Sequence, residues 1–310
     1  MQEEYNNNYP NDFNDEINLR ELFYIILGGK WIIVSVTAFL SIIGVIYSLS
    51  LPNIYVSKAL LAPVNASVGI NAAVGGYTNL AGLAGINLPN SADSSGNSVK
   101  ALRKISSLSF FEKDILSNIY LPDLMALKSW NRKTNTQSYN EKIYDSNTNT
   151  WIGEYSQRPS AQKSFIIFKT HLSLSEDKLT GFVTLSIKHK SPFVAKQWAD
   201  LVVNEINNFY RQKDKSEAEK AVSYLNQQIS MTGLSEIKEV LAELLQEQTE
   251  KLTLIEANES YVFEFIDPPA VMEKKSEPKR ALICIVFAFL GGMLGVSSVL
   301  IRHFFYSEKS

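Results

Sequence analysis

The sequence predicts an α+β membrane protein in which two transmembrane helices flank an α/β base domain that carries a long projecting helical hairpin. Three observations predict it. Two uncharged apolar runs lie near the two ends of the 310 residues. Between them, strand-like stretches surround a helical pattern about 38 residues long. A second helical pattern follows at once, with apolar residues at three- and four-residue steps.

The apolar runs are Trp31 to Leu51 and Ala281 to Ile301, each of about 21 residues. At ~1.5 Å per residue each spans ~30 Å, the thickness of a bilayer's hydrocarbon. The first is not a cleaved signal peptide, because it starts about 30 residues in, follows an acidic stretch and ends in Leu51-Pro52-Asn53 without a small-residue cleavage site. Two spans return both termini to one side. The chain therefore divides into a cytoplasmic tail (1–30), a first span (31–51), a domain (52–280), a second span (281–301) and a short cytoplasmic tail (302–310). Charge does not settle the side: Arg20 and Lys30 precede the first span and Lys58 follows it, whereas Lys274, Lys275, Lys279 and Arg280 on the domain side of the second span stand against Arg302 and Lys309 beyond it. The first span usually dominates topology, which puts the domain outside the cytoplasm. The one cysteine, Cys284, lies in the second span. The domain holds 26 Lys and Arg against 25 Asp and Glu, a balance that argues against a nucleic-acid partner. Six acidic residues before the first span disfavour docking of that tail on anionic lipid.

The elements follow in order. Met1 to Asn14 is rich in Asn and is expected to be disordered. Asp15 can cap a short helix, lying along the membrane surface, that breaks at Gly28-Gly29. Asn53 to Pro63 reads as a strand. Asn65 to Asn97 holds six glycines and a single charge, Asp93, which suits a mobile loop. Ser98 to Ile119 reads as a helix, and Pro122 to Pro159 as polar and irregular, although it carries Trp130, Tyr139, Tyr144, Trp151 and Tyr155. Lys163 to Lys190 reads as a β-hairpin with arms Phe165–Leu174 and Phe182–His189. Ser191-Pro192 opens the long helix, whose middle, Arg211 to Lys220, is mostly charged. After Met231-Thr232-Gly233 a second helix runs to about Asn258. Its Leu234, Ile237, Leu241, Leu244, Gln248, Leu252 and Ile255 form a coiled-coil seam, so the arm (about 192–258) is a helical hairpin standing away from the membrane. Tyr261 to Ile266 is a returning strand. Asp267 to Lys279, with Pro268, Pro269 and Pro278, is a stiff connector into the second span.

Catalytic, cofactor and metal signatures are not found. There is no phosphate-binding glycine loop and no serine nucleophile elbow. His171 and His189 can approach across the predicted hairpin, but two histidines without a third ligand read as a surface strand pair rather than a zinc site. Glu236, Glu239, Glu243, Glu247 and Glu250 share one helical face, which reads as solvated or as docking on a basic surface such as Arg211 to Lys220 of a neighbouring copy. The aromatics between Trp130 and Tyr155 read as loop packing, with stacking on sugar rings as the alternative. Gly291 and Gly295, beside Ala288 and Ser298, let a second helix approach closely, with Gly44 and Ser48 as the counterpart.

Five segments, in order, resemble the Wzz-type chain-length determinants of bacterial surface polysaccharide, also called polysaccharide co-polymerases. They are INLREL (Ile17 to Leu22) with GKW (Gly29 to Trp31), LPNIYVSKALLAP (Leu51 to Pro63), GLAGINLP (Gly82 to Pro89), LTGFVTLSIKHKSPFVAKQWAD (Leu179 to Asp200) and YVFEFIDPPAVMEKKSEPKRALI (Tyr261 to Ile283). The resemblance implies a cell inner membrane protein with a periplasmic α/β base and a long helical arm. It implies a homo-oligomeric, bell-shaped ring, octameric by family resemblance. The ring works with the O-antigen polymerase on lipid-linked polysaccharide and sets the modal length of lipopolysaccharide O-antigen without catalysis. No catalytic, cofactor-binding or metal residues carry over. The family's proline-rich motif falls on Asp267, Pro268, Pro269 and Pro278. The tyrosine-kinase branch departs from this sequence, where nine residues follow the second span and Tyr306 is their one tyrosine. The alternatives are a capsule or exopolysaccharide co-polymerase acting with a separate tyrosine kinase chain, and a membrane-tethered periplasmic enzyme acting on glycan.

Overall fold

A computed structural model describes residues 19–64, 94–153, 157–258 and 260–307. The Asn-rich N-terminal segment, Asp15, the first two residues of the INLREL motif, most of the glycine-rich segment including GLAGINLP, and Tyr155 lie outside the described residues. The chain folds as two compact units, residues 1–52 with 277–310, and residues 53–276.

The first unit is helical. Helix α1 (Leu19–Gly28) ends at Gly29, whose non-helical backbone separates it from α2 (Lys30–Ser50). Helix α9 (Arg280–Ser307) carries the second apolar run and extends past it. Both α2 and α9 are long and apolar enough to cross a membrane. The rest of the chain leaves most of their surface uncovered, as a lipid-facing helix requires and a soluble core helix does not.

The second unit is built on a four-stranded antiparallel sheet of order β6-β7-β1-β8. Its strands are β1 (Tyr55–Pro63), β6 (Leu172–Glu176), β7 (Val183–His189) and β8 (Phe263–Asp267). Strand β7 alternates strictly, burying Val183, Leu185, Ile187 and His189. In register beside them, β1 buries Leu61, Ala59, Ser57 and Tyr55. The first half of α7 (Pro192–Met231) lies across β1 and β7 and fills this face with Val194, Trp198, Val202 and Ile206. Each such fully buried large apolar side chain stabilises the fold by about 1.5–3 kcal/mol. The second half of α7 leaves the sheet and pairs with α8 (Ser235–Ala257).

Four expectations are corrected here. Residues 161–171, expected to begin a hairpin arm, form helix α6 (Ala161–His171). The Ser160 hydroxyl caps it by accepting from the Lys163 N–H, and Phe165 and Phe168 turn onto the Phe111 ring. The hairpin is therefore only β6 with β7. The helix expected over 98–119 is α3 (Ser94–Ile105), interrupted where Ser107 caps a new turn, followed by α4 (Leu108–Phe110) and a wider π-turn (Phe111–Ile115). The stretch expected to be irregular contains α5 (Leu121–Met125) and two small hairpins, β2 (Leu127–Asn131) with β3 (Thr136–Tyr139), and β4 (Tyr144–Asp145) with β5 (Thr150–Trp151). Left-handed Asn135 and Asn149 shape their turns. On α8 the seam turns inward at Leu241, Leu245, Gln248, Leu252 and Ile255, while Leu234, Ile237 and Leu244 stay exposed.

Candidate functional site: the anchoring helices, the connector and the arm root

The six residues singled out in the sequence divide between the units. Pro278, Gly291 and Gly295 belong to the helical unit, and Asp267, Pro268 and Pro269 to the sheet unit. In the helical unit α2 and α9 run antiparallel in close contact. A Cβ placed on Gly291 would sit 2.8 Å from the Thr37 Cα, and one on Gly295 2.9 Å from the Ile33 Cα. Both obstacles are backbone, so neither can yield. Farther along, Gly44 accommodates the Phe287 ring, and Gly29 accommodates Val299. Ser48 is buried, and its carbonyl accepts from Arg280 Nε at 3.2 Å. In lipid, helices are drawn together by this kind of backbone proximity and dispersion, since lipid tails remove the hydrophobic drive between them.

Asp267 ends β8 opposite Leu60, just past a register shift. Asp267 and Pro268 are exposed, whereas Pro269 is buried. Neither proline has an N–H to offer, so the ladder to β1 cannot continue through them. Side-chain and single backbone bonds take over. Ser57 Oγ donates to the Ala270 carbonyl at 2.9 Å, and the Ser276 N–H donates to the Ile54 carbonyl at 2.9 Å. The connector thus runs back along β1 from Leu60 to Ile54. Pro278 follows Glu277 through a cis peptide bond, and its carbonyl accepts from the Arg280 N–H at 3.0 Å.

A third cluster was not singled out in the sequence. Asn207 lies on α7 where the helix leaves the sheet, and is 8% exposed. Its Oδ1 accepts from the Val262 and Phe263 N–H groups, both at 2.9 Å, and its Nδ2 donates to the Phe263 carbonyl at 2.8 Å. One turn farther, Arg211 donates to the Asn258 carbonyl at 2.7 Å, and the Tyr261 hydroxyl donates to Asp214 at 2.6 Å. Lys215 pairs with Glu256. Burial, then the Asp214 carboxylate, holds the Tyr261 phenol well above its ordinary range. The sequence signal was a polar residue at a core-facing step of an apolar run, Val202-Val203-Asn204-Glu205-Ile206-Asn207.

His171 and His189 do meet, with ring centroids 5.7 Å apart, but in the interior rather than on a surface. His189 is 2% exposed and packs on Trp198 at 4.9 Å. Its Nδ1 accepts from the Ser191 N–H at 3.1 Å, so Nε2 carries the proton and donates to the Asp123 carbonyl at 3.2 Å. Both nitrogens are engaged by backbone. Burial depresses this imidazole to about 4. Burial likewise lowers His171, whose Nδ1 donates to the Lys188 carbonyl at 2.6 Å. Among the described residues no three His, Cys, Asp or Glu side chains group to hold a metal. Glu236, Glu239, Glu243, Glu247 and Glu250 all lie exposed on α8.

The family model described as chain length determinant protein (Wzz) matches residues 15–111. The model described as a G-rich domain on putative tyrosine kinase matches residues 235–304. Among curated proteins, none matches. A solved structure titled full-length bacterial polysaccharide co-polymerase is 15% identical, aligns over 94% of this chain and 99% of its own, and has a TM-score of 0.40. A fragment of WzzB, a polysaccharide co-polymerase from Salmonella Typhimurium, is 13% identical over 73% of this chain and 100% of its own, with a TM-score of 0.31. The two family models thus take in β1 with the helix before it, and the second arm helix with β8, the connector and α9. The chain carries a Wzz chain-length-determinant domain over residues 15–111 and is similar to the polysaccharide co-polymerases.

Proposed function

We propose that this protein sets the modal length of lipopolysaccharide O-antigen, as a non-enzymatic partner of the membrane polymerase that joins lipid-linked repeat units. It sits in the bacterial inner membrane with its sheet unit in the periplasm. Copies assemble into a ring, octameric by family resemblance. The observation that carries this reading is the closed α2–α9 pair, which gathers both ends of the chain into one glycine-packed anchor. An anchor of that kind is suited to meeting another membrane protein through its uncovered faces. The Asp267-Pro268-Pro269 connector and Pro278 are, on this reading, working parts of the chain between β8 and α9. Deleting the gene and resolving the lipopolysaccharide on a gel tests it. Loss of the preferred band cluster is expected, and unchanged banding would sink the reading.

A second reading has one observation in its favour. The model matching residues 235–304 is named for its occurrence on putative tyrosine kinases. On that reading the chain serves a capsule or exopolysaccharide polymerase with the kinase on a separate chain. A tyrosine kinase gene beside this one, with capsule rather than lipopolysaccharide altered on deletion, would decide for it.

A further inference from the structure

The two small hairpins between α5 and α6 are held largely by rings, in two groups that Gln137 bridges. Trp151 packs on Tyr144 at 5.0 Å, Tyr144 on Tyr139 at 5.7 Å, and both tyrosines on Tyr120 at 6.4 and 6.2 Å. The Tyr139 hydroxyl touches Gln137 at 3.2 Å, and Gln137 stands opposite Trp130 in the β2–β3 register. Trp130 in turn packs on Phe193 at 6.1 Å, at the start of α7. The polar ends of these rings are committed internally. Trp130 Nε1 donates to Asn135 Oδ1 at 2.8 Å. The Tyr144 hydroxyl donates to Asn149 at 2.9 Å, so Tyr120 must supply the proton of the 2.7 Å bond between the two phenols. Burial first, and then that bond, push the Tyr120 phenol up to about 12, so it stays protonated.

What remains available is ring surface. Tyr120 is 50% exposed and Phe193 46% exposed, unusually open for aromatic side chains whose neighbours hold them in place. The strands beside them carry Ser129, Thr136, Gln137, Ser138 and Thr150, with Lys128 and Asp145 as their charged members. Fixed rings set among hydroxyl and amide groups complement a pyranose. The C–H face of such a sugar stacks on an aromatic ring, and its hydroxyls bond to amides and hydroxyls. Because the rings are already held, binding costs little side-chain ordering.

We propose that the Tyr120–Phe193 band is a contact surface for the growing glycan chain, with Tyr120 and Phe193 as its two stacking platforms. This rests on the reading of the protein as a determinant of polysaccharide length, and gives that reading a site of contact. The test uses full-length protein in detergent and, as probe, the polysaccharide released by mild acid from the host cell's own lipopolysaccharide. Saturation-transfer NMR on the wild type should carry magnetisation from aromatic protons to sugar protons. Tyr120→Ala with Phe193→Ala should weaken binding by about tenfold or more and shift the modal length. Tyr120→Phe, which keeps the ring and loses the hydroxyl, should bind within about twofold of wild type. No saturation transfer to the wild type overturns the inference, whatever the variants do. So does a double variant that binds normally, or one that changes only the number of copies in the assembly, which would make the band a contact between copies. Failure of the functional reading is separate: it shows as normal banding in the gene deletion, not in these binding measurements.

Discussion

Lowering the pH from 7 to 5 should destabilise the sheet unit through His189. The imidazole is neutral in the fold, with Nδ1 accepting from Ser191 and Nε2 donating to Asp123. Its pKa falls from 6.5 to about 4 on folding, mainly through burial. The unfolded chain therefore takes up a proton as the pH drops through 6.5, while the folded chain does not until about 4. Stability is fully present above 6.5 and drains away across that window. The whole shift corresponds to about 3 kcal/mol, of which about 2 kcal/mol is lost between pH 7 and 5. His171, lowered by the same burial, acts in the same direction. Asp123 acts in the opposite one at the acid end, because burial raises its carboxyl and the fold gains as it protonates. Lys190, also lowered by burial, donates to the Leu127 carbonyl. Urea unfolding of the full-length protein in detergent, followed by Trp198 fluorescence beside His189, should show the midpoint falling with pH. His189→Gln should be less stable at pH 7, by about 1–3 kcal/mol for the buried bonds lost, yet visibly flatter with pH. Equal pH slopes in wild type and variant would refute the reasoning.

Other expectations follow from the same structure. Gly291→Leu or Gly295→Leu must separate α2 from α9, because the obstacles are the Thr37 and Ile33 backbones. Cysteine cross-linking across the pair should fall and banding should change, whereas Gly292→Ala, with nothing nearer than Thr37 Oγ1 at 4.0 Å, should be silent. Asn207→Leu strips three bonds from residues 262 and 263. It should cost about 2–4 kcal/mol and speed amide exchange at Val262 and Phe263. Tyr261→Phe removes only the bond to Asp214 and should cost about 1 kcal/mol in the same unfolding assay. Replacing Pro268 and Pro269 by alanine should broaden or shift the modal length. Pro269→Ala should give most of the effect, since Pro269 is the buried member, and equal length profiles at equal expression would count against it.

The membrane helices, the long helix, the turn at Gly233 and the returning strand were legible because each rests on a local pattern that nothing overrides. An uncharged run of about 21 residues has few other uses. Helix α6 was not legible. Phe165-Ile166-Ile167-Phe168 has strand propensity, and only the Ser160 cap and the Phe111 ring decide against it. The small hairpins escaped notice for a related reason: their cohesion is ring on ring between Tyr120, Tyr139, Tyr144 and Trp151, not an alternation along one strand. The α8 seam takes Leu245 in place of Leu244 because its inward residues, Leu241, Leu245, Gln248, Leu252 and Ile255, keep the four-three heptad step that Leu244 breaks. The glycine seam of the anchoring helices needed its partner positions, Ile33 and Thr37, which periodicity alone does not name. His189 was misread because a polar residue closing a strand suggests a surface, and the Asp123 carbonyl that satisfies it comes from a distant segment.

Asn207 has a consequence for the motion of the arm. Strand β8 lies at one margin of the sheet, where backbone groups would otherwise be open to another strand. The Asn207 amide takes that place, accepting two N–H groups and answering one carbonyl as a neighbouring backbone would. A single side chain therefore closes the sheet margin at the first residue of β8 and ties it to the 40-residue helix α7. Displacing α7 at that point breaks the bonds to Val262 and Phe263. Force applied along the arm is thus delivered to the strand that leads, through Asp267 and Pro269, into the connector.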